Sequence, residues 1–229
     1  MLHVLRSRLS MFMILTLAIL VIGARAPRIV IGQTISIGQG FGIRSVANVR
    51  GTRVNMYTGN PPGTVIPGTF NVGLTAVCAN YPCSGNSYFY ETGWYKGALT
   101  ANQLRQYASW VGPTTQDYTY NLGTLSTNTW YEFQTLFSNT TNMWEAWRNG
   151  VPRHQIFLGD VFKKGNYVSC GLETGIIGSS FPSFSNSCTQ TKYKVGSGSW
   201  TLYDYTATQI AGPYCVTRWA NYEVQAYKC

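Results

Sequence analysis

The 229-residue chain is short of acid and almost without histidine: Asp and Glu number 8 against 17 Lys and Arg, and there are 2 histidines. These two, His3 and His154, cannot build a multi-histidine metal centre. They leave His154, beside the turn-forming Pro152-Arg153, as the sole histidine base for a Ser-His-Asp or Cys-His site. Gly38-x-Gly40-x-Gly42 lacks the lysine and the following helix that a phosphate-cradling loop needs. Calcium held by acidic loops would have only the isolated Asp117, Asp160 and Asp204 to use. No metal and no cofactor is expected. Lys-, Glu- and Ala-rich helical stretches are scarce, whereas Tyr, Trp, Thr, Gly, Asn and Ser are plentiful, a balance that favours strands and turns.

The formal charge is +9, and without Arg6 and Arg8 it falls to about +7. The positive residues are scattered: Arg44, Arg50, Arg53, Lys96, Arg105, Arg148, Arg153, Lys163, Lys164, Lys192 and Lys194. With no dense basic run, no nucleic acid partner is expected; a soluble basic surface is the reading, and an acidic polysaccharide or cell wall stays open.

Arg6 and Arg8 precede an apolar run from Met11 to Gly23. Its length, about 13 residues, fits a signal-peptide core better than a spanning helix of about 20. Residues 1–23 therefore read as a signal peptide, extending to 26 if the small residues of Ala24-Arg25-Ala26 mark the cut. Membrane attachment follows only if that segment is retained. Six cysteines lie beyond it: Cys78, Cys83, Cys170, Cys188, Cys215 and Cys229. Their even number after an export signal implies an oxidising, extracellular setting with three disulfides. Sequence cannot choose among the pairings; the nearest-neighbour set is Cys78–Cys83, Cys170–Cys188 and Cys215–Cys229. Zinc is the weaker alternative, since C-x-x-C spacing is missing.

From residue 27 to 229 apolar residues alternate with polar or small ones, with turn signals every 8–12 residues or so, as in a sandwich or jelly roll. Asn60-Pro61-Pro62-Gly63 and Asn149-Gly150 are turns, the latter a hairpin signal. Residues 98–110 are the one stretch that reads as a helix, or else as a loop leading into a strand over 106–111. Residues 27–45 read as one or two opening strands and 48–57 as another. No linker or repeat divides residues 27–229, which read as a single antiparallel β-sandwich. Asn139-Thr140-Thr141 is the one N-glycosylation sequon, so Asn139 is a glycosylation candidate.

Against so few acids, Glu91-Thr92-Gly93 and Glu173-Thr174-Gly175 stand out, each ending an aromatic or apolar run. Carboxylates inside strand-like apolar segments are costly unless paired or functional. Strand residues i and i+2 share a face, so Gly93 lies beside Glu91 and Gly175 beside Glu173, leaving bare backbone where a ligand chain could lie close. Phe89 and Tyr95 share that phase and are groove candidates; ordinary sheet packing is their alternative. Trp94 has the opposite phase, towards a second sheet. Two carboxyls held close share a proton, the ionised one activating water and the protonated one hydrogen-bonding the oxygen under attack. The same pair would cut a peptide or a glycosidic bond. The plain alternative is that each glutamate ends a strand at a solvent edge.

Tyr90-Glu91-Thr92-Gly93-Trp94 resembles the Glu-x-Gly-Trp around the first acid of the neprosin-type glutamic peptidases. Trp130-Tyr131-Glu132-Phe133 resembles their WxEF strand and the WYEW strand of the fungal glutamic peptidases, and Gly171-Leu172-Glu173 their Gly-x-Glu segment. The order agrees, and the resemblance covers roughly residues 85–215. It implies a concanavalin A-like double sheet and a secreted, acid-acting endopeptidase with Glu91 and Glu173 as catalytic dyad. Fungal members carry glutamine at the first position, so Glu91 follows the neprosin pattern. Glu132 shares a face with Trp130 and would be supporting or structural. The substrate would be a polypeptide. A polysaccharide substrate for a glycoside hydrolase, a lectin-like carbohydrate-binding domain, or a cell-surface structural sandwich are the rivals.

Overall fold

The computed structural model describes residues 35–64, 66, 68–81, 87–112, 116–119, 122–178, 180–218 and 220–229. The expected signal segment 1–23 and its cleavage site lie outside the described residues. Thr34–Cys229 forms one compact unit. Its strands are β1 (Ile35–Tyr57), β2 (Phe70–Cys78), β3 (Phe89–Gly97), β4 (Arg105–Val111), β5 (Gln116–Thr119), β6 (Trp130–Ser138) and β7 (Met143–Arg148). They continue with β8 (Val151–Ile156), β9 (Gly165–Ile177), β10 (Ser185–Val195), β11 (Trp200–Leu202), β12 (Ala207–Ala211), β13 (Tyr214–Thr217) and β14 (Val224–Lys228).

All pairings are antiparallel, and the strands form a two-layer β-sandwich of jelly-roll type. β1 belongs to both layers. Its first half pairs with β12 and β9, giving a first layer in the order β12-β1-β9-β2-β3-β4-β5. Its second half pairs with β10 and β6, giving a second layer in the order β13-β14-β10-β1-β6-β7-β8, with β11 beside the far part of β10. The change of layer falls at a register shift between Ser45 and Val49, where Asn48 has φ 59°. Asparagine tolerates that left-handed conformation, and the bulge lets one strand turn a corner. The expected opening strands are thus one continuous strand.

The row Gly38, Gly40, Gly42 on β1 faces the second layer; a Cβ at Gly42 would lie 2.6 Å from the Tyr205 ring. Glycine there brings the layers close, which accounts for a motif that resembles a phosphate loop without being one. Elsewhere the interlayer core is aromatic. Tyr90, Trp110, Trp144 and Phe162 pack at one end, and Trp94, Phe133 and Met56 at the other. Trp94 therefore faces the second layer as its phase required. Asn149 and Gly150 have φ 48° and 75°, the hairpin turn joining β7 to β8.

Two of the expected disulfides are present, Cys170–Cys188 and Cys215–Cys229. Cys170 is on β9 and Cys188 on β10, so the first bond ties the two layers together. Cys78 is also disulfide-bonded, while Cys83 lies outside the described residues. The helix reading of 98–110 gives way to its alternative. Only Ala98–Thr100 makes a 3-10 turn, and β4 follows, because Tyr107 and Trp110 pack on opposite faces of a sheet rather than on one helical stripe. No helix among the described residues is long and apolar enough to cross a membrane.

Candidate active site

Residues facing one another across antiparallel strands share a face, so the register draws the outer surface of the first layer row by row. One row is Phe41, Gly171, Leu74, Gly93 and Tyr107, taken from β1, β9, β2, β3 and β4. Bulky side chains stand at its ends and glycine flanks the central leucine, a dip in side-chain height along a row whose Phe41, Leu74 and Tyr107 are buried; this dip is the trough. The row on one side holds Ser169, Ala76, Glu91 and Ser109, and the row on the other holds Gln39, Glu173, Val72 and Tyr95. Glu91 and Glu173 therefore stand at diagonal corners around Leu74. β2 runs between their strands, so they do not face each other directly. Each backbone position lies one strand and two residues from Leu74, about 8 Å in a flat sheet, with the side chains left to span the trough.

Gly93 and Gly171 are obligatory. A Cβ on Gly93 would sit 1.9 Å from the carbonyl oxygen of Gly73, and one on Gly171 2.0 Å from that of Gly40. Gly175 behaves otherwise than its spacing suggests: its open side is filled by the Phe70 ring, 2.5 Å from where a Cβ would be. It is a floor for an aromatic side chain rather than for a ligand. Tyr95 is only 2% exposed and packs against Tyr107 and Phe70 with ring centroids 6.3 and 6.2 Å apart. Phe89 is half-buried at the edge of the same cluster. These two aromatics shape the trough wall by packing, the plainer of the two readings.

Both glutamates are half-buried in this apolar setting. Burial pushes Glu91 up to about 8; the like charge of Glu173 adds to the rise, and the hydrogen bond from Tyr107 opposes it. The Tyr107 hydroxyl donates to Glu91 Oε1 at 3.2 Å, holding the carboxyl towards the trough. Burial pushes Glu173 up to about 7. Both carboxyls therefore keep their protons to a higher pH than an exposed glutamate does.

Asn186 of β10 fixes the strands that carry the pair. Its side-chain oxygen accepts from Trp94 Nε1 at 3.1 Å, three residues beyond Glu91, and its amide donates to the Gly171 carbonyl at 2.8 Å, two residues before Glu173. It is wholly buried. Neither Asn186 nor Tyr107 stands out in the sequence, where nothing marks a buried amide between sheets or a phenol on the neighbouring strand.

The remaining candidates lie elsewhere. Glu132 is on the outer face of the second layer, where it forms an ion pair with Arg53 and accepts from Arg53 Nε at 2.7 Å, a structural contact. His154 Nδ1 is 2.8 Å from Tyr90 Oη, its ring stacks on Trp110 at 4.9 Å, and burial lowers its pKa. Its hydrogen-bond partner is a buried phenol, not a serine or cysteine nucleophile. Asn139 is exposed in the β6–β7 turn, where its side-chain oxygen accepts from Arg50. Among the described residues no group of three His, Cys, Asp or Glu could hold a metal.

The chain matches no family model and no curated protein. Among solved structures it is similar to scytalido-glutamic peptidase bound to a peptide-based transition-state analogue. The TM-score is 0.57 at 9% identity, over 86% of this chain and 100% of that one. It is also similar to SCP-B, a member of the eqolisin family of peptidases, in complex with the tripeptide Ala-Ile-His: TM-score 0.53, 8% identity, 86% and 100% coverage. At such identities the likeness is one of fold.

Replacing Asn186 by alanine strands a buried Trp94 N–H and a buried carbonyl, at a cost of roughly 2–5 kcal/mol. Urea unfolding should show a lower midpoint with an unchanged slope. The glutamate pair also sets a pH dependence. Carboxyls whose folded pKa lies above 4.5 bind more protons folded than unfolded, so their contribution to stability falls as pH rises from about 4.5 through about 7 and 8. Thermal melts at pH 4.5 and 8.5 should therefore differ more in the wild type than in Glu91→Gln/Glu173→Gln.

Proposed function

We propose that the chain is a secreted hydrolase of the glutamic-peptidase kind, cutting polypeptide with Glu91 and Glu173. The observation that carries this reading is two scarce acids, both with raised pKa, at opposite corners of a glycine-floored trough. In the division of labour proposed, Glu173 in its ionised form takes a proton from water as it attacks the carbonyl carbon, and Glu91, protonated, hydrogen-bonds the carbonyl oxygen and steadies the charge that develops there. Collapse of the tetrahedral intermediate breaks the C–N bond, and the proton held by Glu173 passes to the leaving amine. Two layer-crossing bonds, the Cys170–Cys188 disulfide and the Asn186 bridge, would hold the geometry in an extracellular setting.

The pH at which this works is set by the singly protonated pair. Since burial raises both carboxyls, that window lies above the ordinary carboxylate range, nearer neutrality than the acid-acting expectation. Purified protein should cleave denatured protein in preference to β-glucan, with a bell-shaped kcat/KM profile whose limbs both lie above pH 5. Glu173→Gln should lose at least a thousandfold in kcat while keeping the wild-type fold by circular dichroism. Faster release of reducing sugar from β-glucan than of peptide from protein would move the reading to a glycosidase, and full activity in Glu173→Gln would end it.

A further inference from the structure

The outer face of the second layer carries a second row of register partners, independent of the glutamate trough. Trp130 faces Tyr57 of β1, Tyr57 faces Ser187 of β10, Ser187 faces Gln225 of β14, and Gln225 faces Thr217 of β13. The row crosses five strands, about 19 Å. Trp130 is 49% exposed, and its ring lies 5.3 Å from that of Tyr57, tilted by 44°. Beside it opens a cleft of about 250 Å³ lined by Ser187, Thr189, Glu223 and Gln225. It shares Gln225 with a wider cleft of about 730 Å³ that reaches Thr217 and Tyr227.

The polar lining is unspent. The side chains of Ser187, Thr189, Glu223 and Gln225 make no hydrogen bond or ion pair among the described residues, and Thr217 Oγ1 is buried without a partner. Polar groups at an open cleft that no protein partner engages are available to a ligand. By contrast the cations at the far end are engaged: Arg218 with Asp204 and Asn221, Lys228 with the Phe181 carbonyl.

We infer that this row binds a neutral polysaccharide chain. A pyranose ring presents a flat C–H face that stacks on an exposed indole, and a rim of hydroxyls. Glu223 accepts only, so it suits neighbouring hydroxyl donors and repels an anion; Gln225, Ser187 and Thr189 both donate and accept. The spacing of adjacent strands is close to the rise of one sugar in an extended glycan, so successive positions of the row meet successive rings. An extended peptide would bind a sheet through a free edge, but at this row β10 is paired by β1 and β14, and β14 by β10 and β13. Nucleic acid is disfavoured by Glu223 and by the absence of a basic row. Binding here would hold the protein on a glycan surface with the glutamate trough facing away.

The test is affinity electrophoresis of the full chain through gels containing β-1,3-glucan, β-1,4-glucan, xylan, mannan or soluble chitin, with polygalacturonate as the charged control. Retardation by at least one neutral polymer is expected, weakened at least tenfold in Trp130→Ala and several-fold in Glu223→Gln. The fold, by circular dichroism, and any cleavage of soluble protein should be unchanged in both. Glu91→Ala should bind the glycan as the wild type does, which separates this site from the trough. Absence of retardation by every neutral polymer overturns the inference. So does retardation by polygalacturonate alone, or binding that survives both Trp130→Ala and Glu223→Gln.

Discussion

The register of β9, β2 and β3 fixes the rest. Because Glu173 lies opposite Val72 and Glu91 opposite Ala76, two residues of one strand four positions apart, the acids must share a face and must straddle Leu74. A slip of one residue in either pairing would send one carboxyl into the aromatic interlayer core, where Tyr90, Trp94 and Trp144 leave no place for a charge. Gly93 and Gly171 oppose such a slip, since any other residue at their positions would strike the neighbouring backbone. The placement of the acids is therefore held by sterics as well as by hydrogen bonds.

The second constraint is the joining of the layers. β1 serves both, the Cys170–Cys188 bond crosses between them, and Asn186 reaches from β10 to the two strands that carry the acids. A rigid support of this kind suits a site in which two carboxyls are desolvated against their preference: a looser frame would relax and let water in, and the pKa values would fall back. Burial is the larger cause of both shifts, and the like charge of Glu173 adds to that of Glu91. Stability at neutral pH is given up to keep two carboxyls buried, each holding its proton above the ordinary carboxylate range.

Much of this was legible in the residues. Period-two alternation placed most strands, Asn149-Gly150 marked its hairpin, and the scarcity of acid singled out Glu91 and Glu173 without reference to structure. The phase of Trp94 gave its side of the sheet. What escaped depends on long-range register. Nothing local says that β2 inserts between β3 and β9, that Phe70 closes over Gly175, or that Tyr107 reaches Glu91. The role of Gly171 hides because its neighbour is the Gly40 carbonyl, 131 positions away in the chain. β12 and β13 are the least legible strands, since Thr206 to Thr217 is broken by Gly212-Pro213 and lacks clean alternation. β1 reads as separate strands because the alternation breaks between residue 45 and Asn48, whereas there the left-handed Asn48 bends a strand that continues.

Carboxyl ¹³C titration of glutamate-labelled protein, wild type beside Glu173→Gln, tests the raised and coupled carboxyls most directly. Two resonances should titrate well above the ordinary carboxylate value, and removal of Glu173 should bring the Glu91 transition down. Two carboxyls titrating near 4.5, with that of Glu91 indifferent to the loss of Glu173, would contradict the account.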